Sequence, residues 1–278
     1  MDLDLTLPSG RIRARSWGEA GAPLLLCVPG LAANLYAFSR IAETLAGVDR
    51  RVVALDLRGT GRSEVTGPDT YGLQNHASDV LAIADALGAA RFDVAGWSLG
   101  ALITMQVALN EGSRLRSVTL IDHGGPTDPA ALVPIRDGLG RLETSVSDPQ
   151  RYLEQVRAGG HIAPWSPFWD NYYTYELEQR SDGQWQPTTS LAAAQEDLRQ
   201  RWPRDWTPFW EALTMPTTLV RATRPVGGPL VVPQRTVEAL TATNPAVTVV
   251  SVPGDHFTCL LEAATSAALA AGLSAGQD

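Results

Sequence analysis

A chain of 278 residues, 44% of them apolar and 19% charged, is long enough to bury one large core or two small ones. Its formal charge of −8, from 22 Lys and Arg against 30 Asp and Glu, comes without any basic run and argues against nucleic acid or an anionic membrane as partner. Met1-Asp2-Leu3-Asp4 lacks the basic and apolar regions of a signal peptide, no apolar stretch reaches the length of a membrane span, and Cys27 and Cys259 lie far apart in apolar runs without metal spacing. A cytoplasmic protein with no metal, no cofactor and no membrane span is therefore expected.

In chain order, residues 3–7 and 11–17 flank Pro8-Ser9-Gly10 and predict a β-hairpin. Leu24-Leu25-Leu26-Cys27-Val28, bounded by Pro23 and Pro29, is a continuous apolar run that fits a strand buried on both faces. A helical pattern covers Leu35 to Leu45, and Arg51 to Leu55 is the next buried strand. The Gly-rich turn Asp56–Ser63 follows, then a helix from about Leu73 to Leu87 that Gly88 stops. A short apolar run, Phe92 to Ala95, leads into Gly96-Trp97-Ser98-Leu99-Gly100 and a helical pattern to Leu109. Ser117 to Ile121 is another buried strand, closed by Asp122.

Residues 124–212 break this rhythm. They hold no clear buried strand, many prolines, and six of the eight tryptophans: Trp165, Trp169, Trp185, Trp202, Trp206 and Trp210. After Met215-Pro216 the rhythm returns, with strands at Thr217–Arg221 and Val247–Val252 and helices at Pro233–Leu240 and His256–Leu273. Strands alternating with helices predict an α/β fold with a mostly parallel, doubly wound sheet. Residues 1–123 and 213–278 would form it, with 124–212 as an inserted helical, Trp-rich cap.

Gly-x-Ser-x-Gly between a strand and a helix puts the serine on a sharp turn with its hydroxyl exposed at the sheet's edge. Ser98 is thus the candidate nucleophile. A serine hydroxyl needs a base within hydrogen-bond reach, and the base needs an orienting group. Of the four histidines, His76 reads as a surface or packing residue in its helix, and His161 lies in the cap, where it could touch a substrate. His123 and His256 both follow strand ends on the edge where ligands gather. His256, between Pro253-Gly254 and an apolar helical run, has the cleaner setting for the base. The orienting acid is harder to assign. The loop Ala222–Pro233 contains no Asp or Glu. Asp255 adjoins His256 too closely for good ring geometry, and Asp56 is better explained by its turn. Asp122 closes the strand next in order to the serine strand, and is the candidate acid. The backbone N–H groups of Leu31, after Pro29-Gly30, and of Leu99 are the candidate oxyanion donors.

Leu24–Leu31, Asp56–Ser63, Gly96–Gly100 and Gly254-Asp255-His256-Phe257 together make the chain resemble the α/β-hydrolase superfamily, from residue 3 to residue 273. The resemblance implies Ser98 as nucleophile and His256 as base. Two features depart from the family pattern. Pro29-Gly30 stands where members often have His-Gly, and the usual acid after the seventh strand is missing. Some members, haloalkane dehalogenases and zearalenone-lactone hydrolases among them, carry the acid after strand six, where Asp122 falls. Ser98 excludes the Asp-nucleophile mechanism of the dehalogenases and epoxide hydrolases.

The cap's tryptophans, with Tyr172, Tyr173 and Tyr175, suit either an apolar lid or simple aromatic packing. Gly30, Trp97, Trp165 and Trp169 are the expected substrate contacts; the alternative to an uncharged ligand is a carboxylate, such as a monoester product carries, held by Arg221 and Arg224. The expected activity is serine hydrolysis of a carboxylic ester or lactone of a hydrophobic small molecule through an acyl-enzyme. Carbon–carbon bond or thioester hydrolysis, or a lyase or cyclase step, fits the same scaffold. A ligand-binding protein with a vestigial site is the reading from a different class.

Overall fold

The apolar runs of the sequence become the centre of one twisted sheet. The computed structural model describes residues 1–46, 50–199, 203 and 205–276; Trp202, one of the tryptophans assigned to the cap, lies outside them. The strands are β1 (Asp2–Leu7), β2 (Gly10–Trp17), β3 (Leu24–Val28), β4 (Arg51–Leu55), β5 (Phe92–Trp97), β6 (Leu115–Ile121), and, after the segment 124–212, β9 (Thr217–Ala222) and β10 (Thr248–Val252). Their order across the sheet is β1-β2-β4-β3-β5-β6-β9-β10. The β1/β2 hairpin and the β2/β4 pair are antiparallel, and every pair from β4 to β10 is parallel. Every residue of β3 and β5 is buried. Both faces of these strands are covered, which is why they read as unbroken apolar runs and not as an alternation. Each fully buried Leu or Val among them contributes about 1.5–3 kcal/mol.

Helices α1 (Ser39–Leu45), α2 (Leu73–Ala86), α3 (Leu99–Glu111), α9 (Gln234–Thr243) and α10 (Ala263–Ala275) complete the core unit. Two expected helices are shorter than their apolar pattern. Leu35–Phe38 is a 3₁₀ turn, held by the Asn34 side chain, which accepts from the Tyr36 N–H. The expected helix from His256 is a loop and a 3₁₀ turn, and α10 begins only at Ala263. Asp255 Oδ1 accepts from the N–H groups of Phe257 and Thr258, at 3.1 and 2.9 Å. That Asx-type turn keeps His256 out of the helix.

The inserted segment is not purely helical. It contains α4 (Val133–Asp137), α5 (Pro149–Ala158), α6 (Pro167–Tyr175) and α7 (Leu191–Arg199), but also an antiparallel pair, β7 (Leu177–Gln179) and β8 (Trp185–Pro187). These strands are too short to show periodicity in sequence. Further along the segment, α8 (Thr207–Glu211) packs on α3 and α9. Trp206 and Trp210 lie in the same apolar cluster as Leu213, Met215 and Leu219, so this end of the segment packs into the core rather than over the sheet.

Buried polar links tie the segment down. Asp56, at the end of β4, accepts from the Tyr175 hydroxyl at 2.7 Å. Asn34 donates to the Tyr172 carbonyl at 3.1 Å. His76 on α2 is not a surface residue: it is fully buried and bonds Asp197 of α7 at 3.0 Å. Among the described residues no helix is long and apolar enough to cross a membrane.

Candidate active site

Strand register brings the site together. Gly96 pairs with Val28 on one side and Leu120 on the other, Ile121 pairs with Val220, and Ala222 pairs with Val252. The C-terminal ends of β3, β5, β6, β9 and β10 therefore share one edge, and each is followed by a loop of the site.

Ser98 leaves β5 with φ 57° and ψ −120° and caps α3. A non-glycine residue there carries about 1–3 kcal/mol of strain. The neighbouring structure imposes it. The Ser98 N–H donates to the Ile121 carbonyl at 2.9 Å, and the turn is closed too tightly for side chains at either glycine. A Cβ on Gly96 would sit 2.1 Å from the Gly100 carbonyl oxygen, and one on Gly100 would sit 2.0 Å from that of Val28. Ser98 is 8% exposed.

Asp122 also has a positive φ, of 47°, a conformation that Asp tolerates better than most residues. Its N–H donates to the Val220 carbonyl at 2.8 Å. One carboxylate oxygen, Oδ1, accepts from the Ala222 N–H at 2.9 Å. The other, Oδ2, lies 2.8 Å from Nδ1 of His256, and Nε2 of that ring lies 2.9 Å from the Ser98 hydroxyl. All three side chains are buried. With Nδ1–H donating to the carboxylate, Nε2 is left to accept from the serine hydroxyl. The structure thus brings Ser98, His256 and Asp122 into one hydrogen-bonded chain. Asp255 is engaged elsewhere: Oδ1 caps its own turn, and Oδ2 pairs with Arg224 at 2.9 Å.

Leu99 opens α3, so its N–H has no acceptor four residues back in the helix. Opposite it, Gly30 packs so closely that a Cβ there would lie 3.1 Å from Cβ of Ser98 and 3.2 Å from the Trp97 ring. Gly30 serves this close approach and is not a wall of the cavities on either side of Leu31. Ala32, two residues on, has φ 49°, and its carbonyl accepts from Nη2 of Arg141 at 2.8 Å. Arg141 also makes two bonds to Glu176, of 2.9 and 3.0 Å, and Glu176 in turn accepts from the Tyr152 hydroxyl. A network of Arg141, Tyr152 and Glu176 thereby holds the loop that carries Leu31. Nothing in the sequence around Arg141 signals this.

Two cavities open on either side of Leu31 and Ile135. One, of about 310 Å³, is walled by Ser98, Leu99, Leu102, His123, Leu132 and Trp206 among others. The second, of about 280 Å³, is walled by Trp97, Tyr152, His161, Tyr172, Tyr173 and Phe257 among others. Trp97, expected as a substrate contact, borders the second cavity, and its indole N–H donates to the His256 carbonyl at 2.9 Å. The other two expected contacts are not cavity walls. Trp169 is fully buried among Phe168, Tyr172 and Tyr173, and Trp165 stacks on Tyr173 and donates to Asp170. Helix α6 carries Trp169 into the packing of residues 152–173, and Trp165, just before the helix, stacks on its Tyr173. Arg221 is bonded to the Val232 carbonyl and Gln234, and Arg224 to Asp255 and Thr258. Neither guanidinium is left waiting for a carboxylate. His123 was visible in sequence as a strand-end residue, but its place in the serine's own cavity was not.

Burial raises Asp56 to about 6, against bonds from the Arg62 N–H, the Tyr175 hydroxyl and the Leu35 N–H that favour its anion. Burial, with the nearby charge of His256, lowers His123 to about 3. Among the described residues no group of three or more His, Cys, Asp or Glu side chains could hold a metal ion.

This constellation, on this sheet, is that of a hydrolase of the alpha/beta class. A family model for the alpha/beta hydrolase fold matches residues 23–263, and the chain belongs to that family. It is 34% identical over 158 residues, 54% of this chain and 53% of the relative, to a 3-hydroxybutyrate-oligomer hydrolase of Cupriavidus necator. It is 42% identical over 87 residues, 31% of this chain and 33% of the relative, to a Rhizobium rhizogenes protein named for carbamate hydrolysis, RutD. The chain thus spans between a third and about half the length of these curated relatives. A solved alpha/beta hydrolase of Novosphingobium aromaticivorans superposes with a TM-score of 0.83 at 27% identity, over 99% of this chain and 98% of that one.

Proposed function

We propose that this chain is a serine hydrolase that cleaves a carboxylic ester or lactone of a hydrophobic small molecule through an acyl-enzyme. The observation that carries this is the buried chain Asp122–His256–Ser98, with contacts of 2.8 and 2.9 Å, opening onto a cavity of about 310 Å³. Ser98 attacks the carbonyl carbon while His256 Nε2 takes its proton. Asp122 holds the ring and stabilises the imidazolium. The N–H groups of Leu31 and Leu99 receive the oxyanion, each worth about 3–4 kcal/mol in the transition state. His256 then protonates the leaving alcohol, and water attacks the acyl-enzyme by the same route.

The apolar cavity walls and the net charge of −8 favour a neutral, hydrophobic substrate over nucleic acid. In this reading most of the segment 124–212 is a cap that closes both cavities. The buried free thiols of Cys27 and Cys259 suit a reducing, cytoplasmic setting. The similar proteins named above, for hydrolysis of 3-hydroxybutyrate oligomers and of a carbamate, support attack on a carbonyl that bears a heteroatom leaving group.

Labelling with a fluorophosphonate tests the reading. Mass spectrometry should find the probe on Ser98, and Ser98→Ala should abolish both labelling and turnover of activated esters. Absence of labelling in the intact protein would favour the binding-protein alternative. A panel of esters, lactones and thioesters then separates the hydrolase variants.

A further inference from the structure

Asp122 and His123 are adjacent in sequence but serve opposite sides of the sheet edge. The positive φ of Asp122 turns the chain, so the Asp122 carboxylate meets His256 while the next imidazole enters the cavity that contains Ser98. His123 is only 7% exposed. Its Nδ1 accepts from the Gly124 N–H at 3.1 Å, which leaves the ring proton on Nε2. Among the described residues nothing accepts from Nε2. Nor is that nitrogen one of the sealed, unpartnered polar atoms of the interior. It faces the open space of the cavity.

The other walls around it make this donor stand out. Leu99, Leu102, Leu132 and Ile135 are apolar. Thr127 spends its hydroxyl proton on the Val231 carbonyl, and Asp197 is bonded to His76 and to the Gly72 N–H. Arg136 is exposed at the mouth. An N–H that no protein group engages and that opens on the cavity is free to donate to a ligand, which takes the place of water there. Burying a carboxylate against a single neutral donor in such walls would cost more than the bond returns.

We propose that His123 is a specificity-determining residue whose Nε2–H binds a second, neutral acceptor oxygen of the substrate, such as a hydroxyl, keto or ester oxygen, in the otherwise apolar part next to the scissile carbonyl. The inference rests on the serine hydrolase reading, and deepens it from a hydrophobic substrate to an oxygen-substituted one. Burial keeps the ring uncharged through the neutral pH range, so it acts as a hydrogen-bond donor and not as a second base.

The test is the kcat/KM of p-nitrophenyl pentanoate against its keto- and hydroxy-substituted counterparts. The wild type should prefer at least one oxygenated ester by about tenfold. His123→Phe should bring that ratio close to one, and His123→Gln, which keeps a side-chain N–H, should recover part of it. No preference in the wild type across the substitution series overturns the proposal, whether or not the variants fold. So does a His123→Phe protein that loses both kinds of ester equally, since that is the mark of a structural role. Fluorophosphonate labelling of Ser98 separates the two failures. Labelling without ester preference removes only the role of His123, and no labelling removes the hydrolase reading and the role with it.

Discussion

The indole N–H of Trp97 donates to the backbone carbonyl of His256 over 2.9 Å. The residue directly before the serine therefore anchors the loop that carries the base. Trp97→Phe keeps an aromatic ring but removes the stronger donor, leaving the buried carbonyl only the weak Cys259 thiol at 3.3 Å. We expect a stability loss of about 1–3 kcal/mol and a kcat lower by about three- to tenfold. Thermal melts and steady-state kinetics on one activated ester check both. An unchanged kcat would mean that the loop is held without Trp97.

Asp122 uses its two carboxylate oxygens for two different donors, Ala222 N–H and His256 Nδ1–H. Asparagine has one acceptor, and the Ala222 N–H claims it. The amide NH₂ then faces Nδ1 and favours the wrong tautomer. Asp122→Asn is expected to lower kcat by about 10⁴ while folding normally. Asp255→Asn is the control. It keeps an oxygen for the turn and loses only the pair with Arg224, whose side chain is 51% exposed, so its loss should stay within about tenfold. Comparable losses in the two variants would remove Asp122 from the orienting role.

Arg141 carries two tasks that can be separated. It neutralises the fully buried Glu176 and it holds the Ala32 carbonyl beside the candidate oxyanion loop. Arg141→Met strands the carboxylate and should cost about 3–5 kcal/mol. Adding Glu176→Gln should restore most of the stability measured by urea unfolding. It should not restore kcat, because the Ala32 carbonyl stays unheld. Full recovery of kcat in the double variant would leave Arg141 with a purely structural part.

Two buried groups set opposite pH trends in stability. The native state holds a proton on Asp56 up to about pH 6, above the unfolded value of about 3.9. Its contribution is complete below the unfolded value and is lost as pH rises through the folded one. The native state keeps His123 neutral down to about pH 3, against about 6.5 unfolded. That contribution is complete above 6.5 and is lost as pH falls. Between about pH 6 and 4, wild-type stability should rise relative to Asp56→Asn and fall relative to His123→Phe, each by about 1.4 kcal/mol per pH unit. Chemical denaturation at several pH values measures both differences. Flat differences would show that neither group is perturbed as its burial implies.

The sequence by itself determined the layout. Runs such as Leu24–Val28 and Val52–Leu55 are apolar without alternation because a strand covered on both faces has no wet side. Gly96 and Gly100 were legible because no other residue fits that turn. The absence of an acid in Ala222–Pro233 points to Asp122 from the sequence alone. Tertiary structure alone decided the rest. Trp165 and Trp169 look like lid residues in sequence, yet an aromatic ring packs equally well against its own segment or a substrate, and only the tertiary contacts buried Trp169 through α6 and laid Trp165 on Tyr173 and Asp170. The partnership of Arg141 with Ala32, and of His76 with Asp197, joins residues more than a hundred positions apart. No local pattern encodes such pairs. The direction in which His123 points depends on a positive φ at Asp122, which the Val220 and Ala222 backbones of a neighbouring strand hold in place.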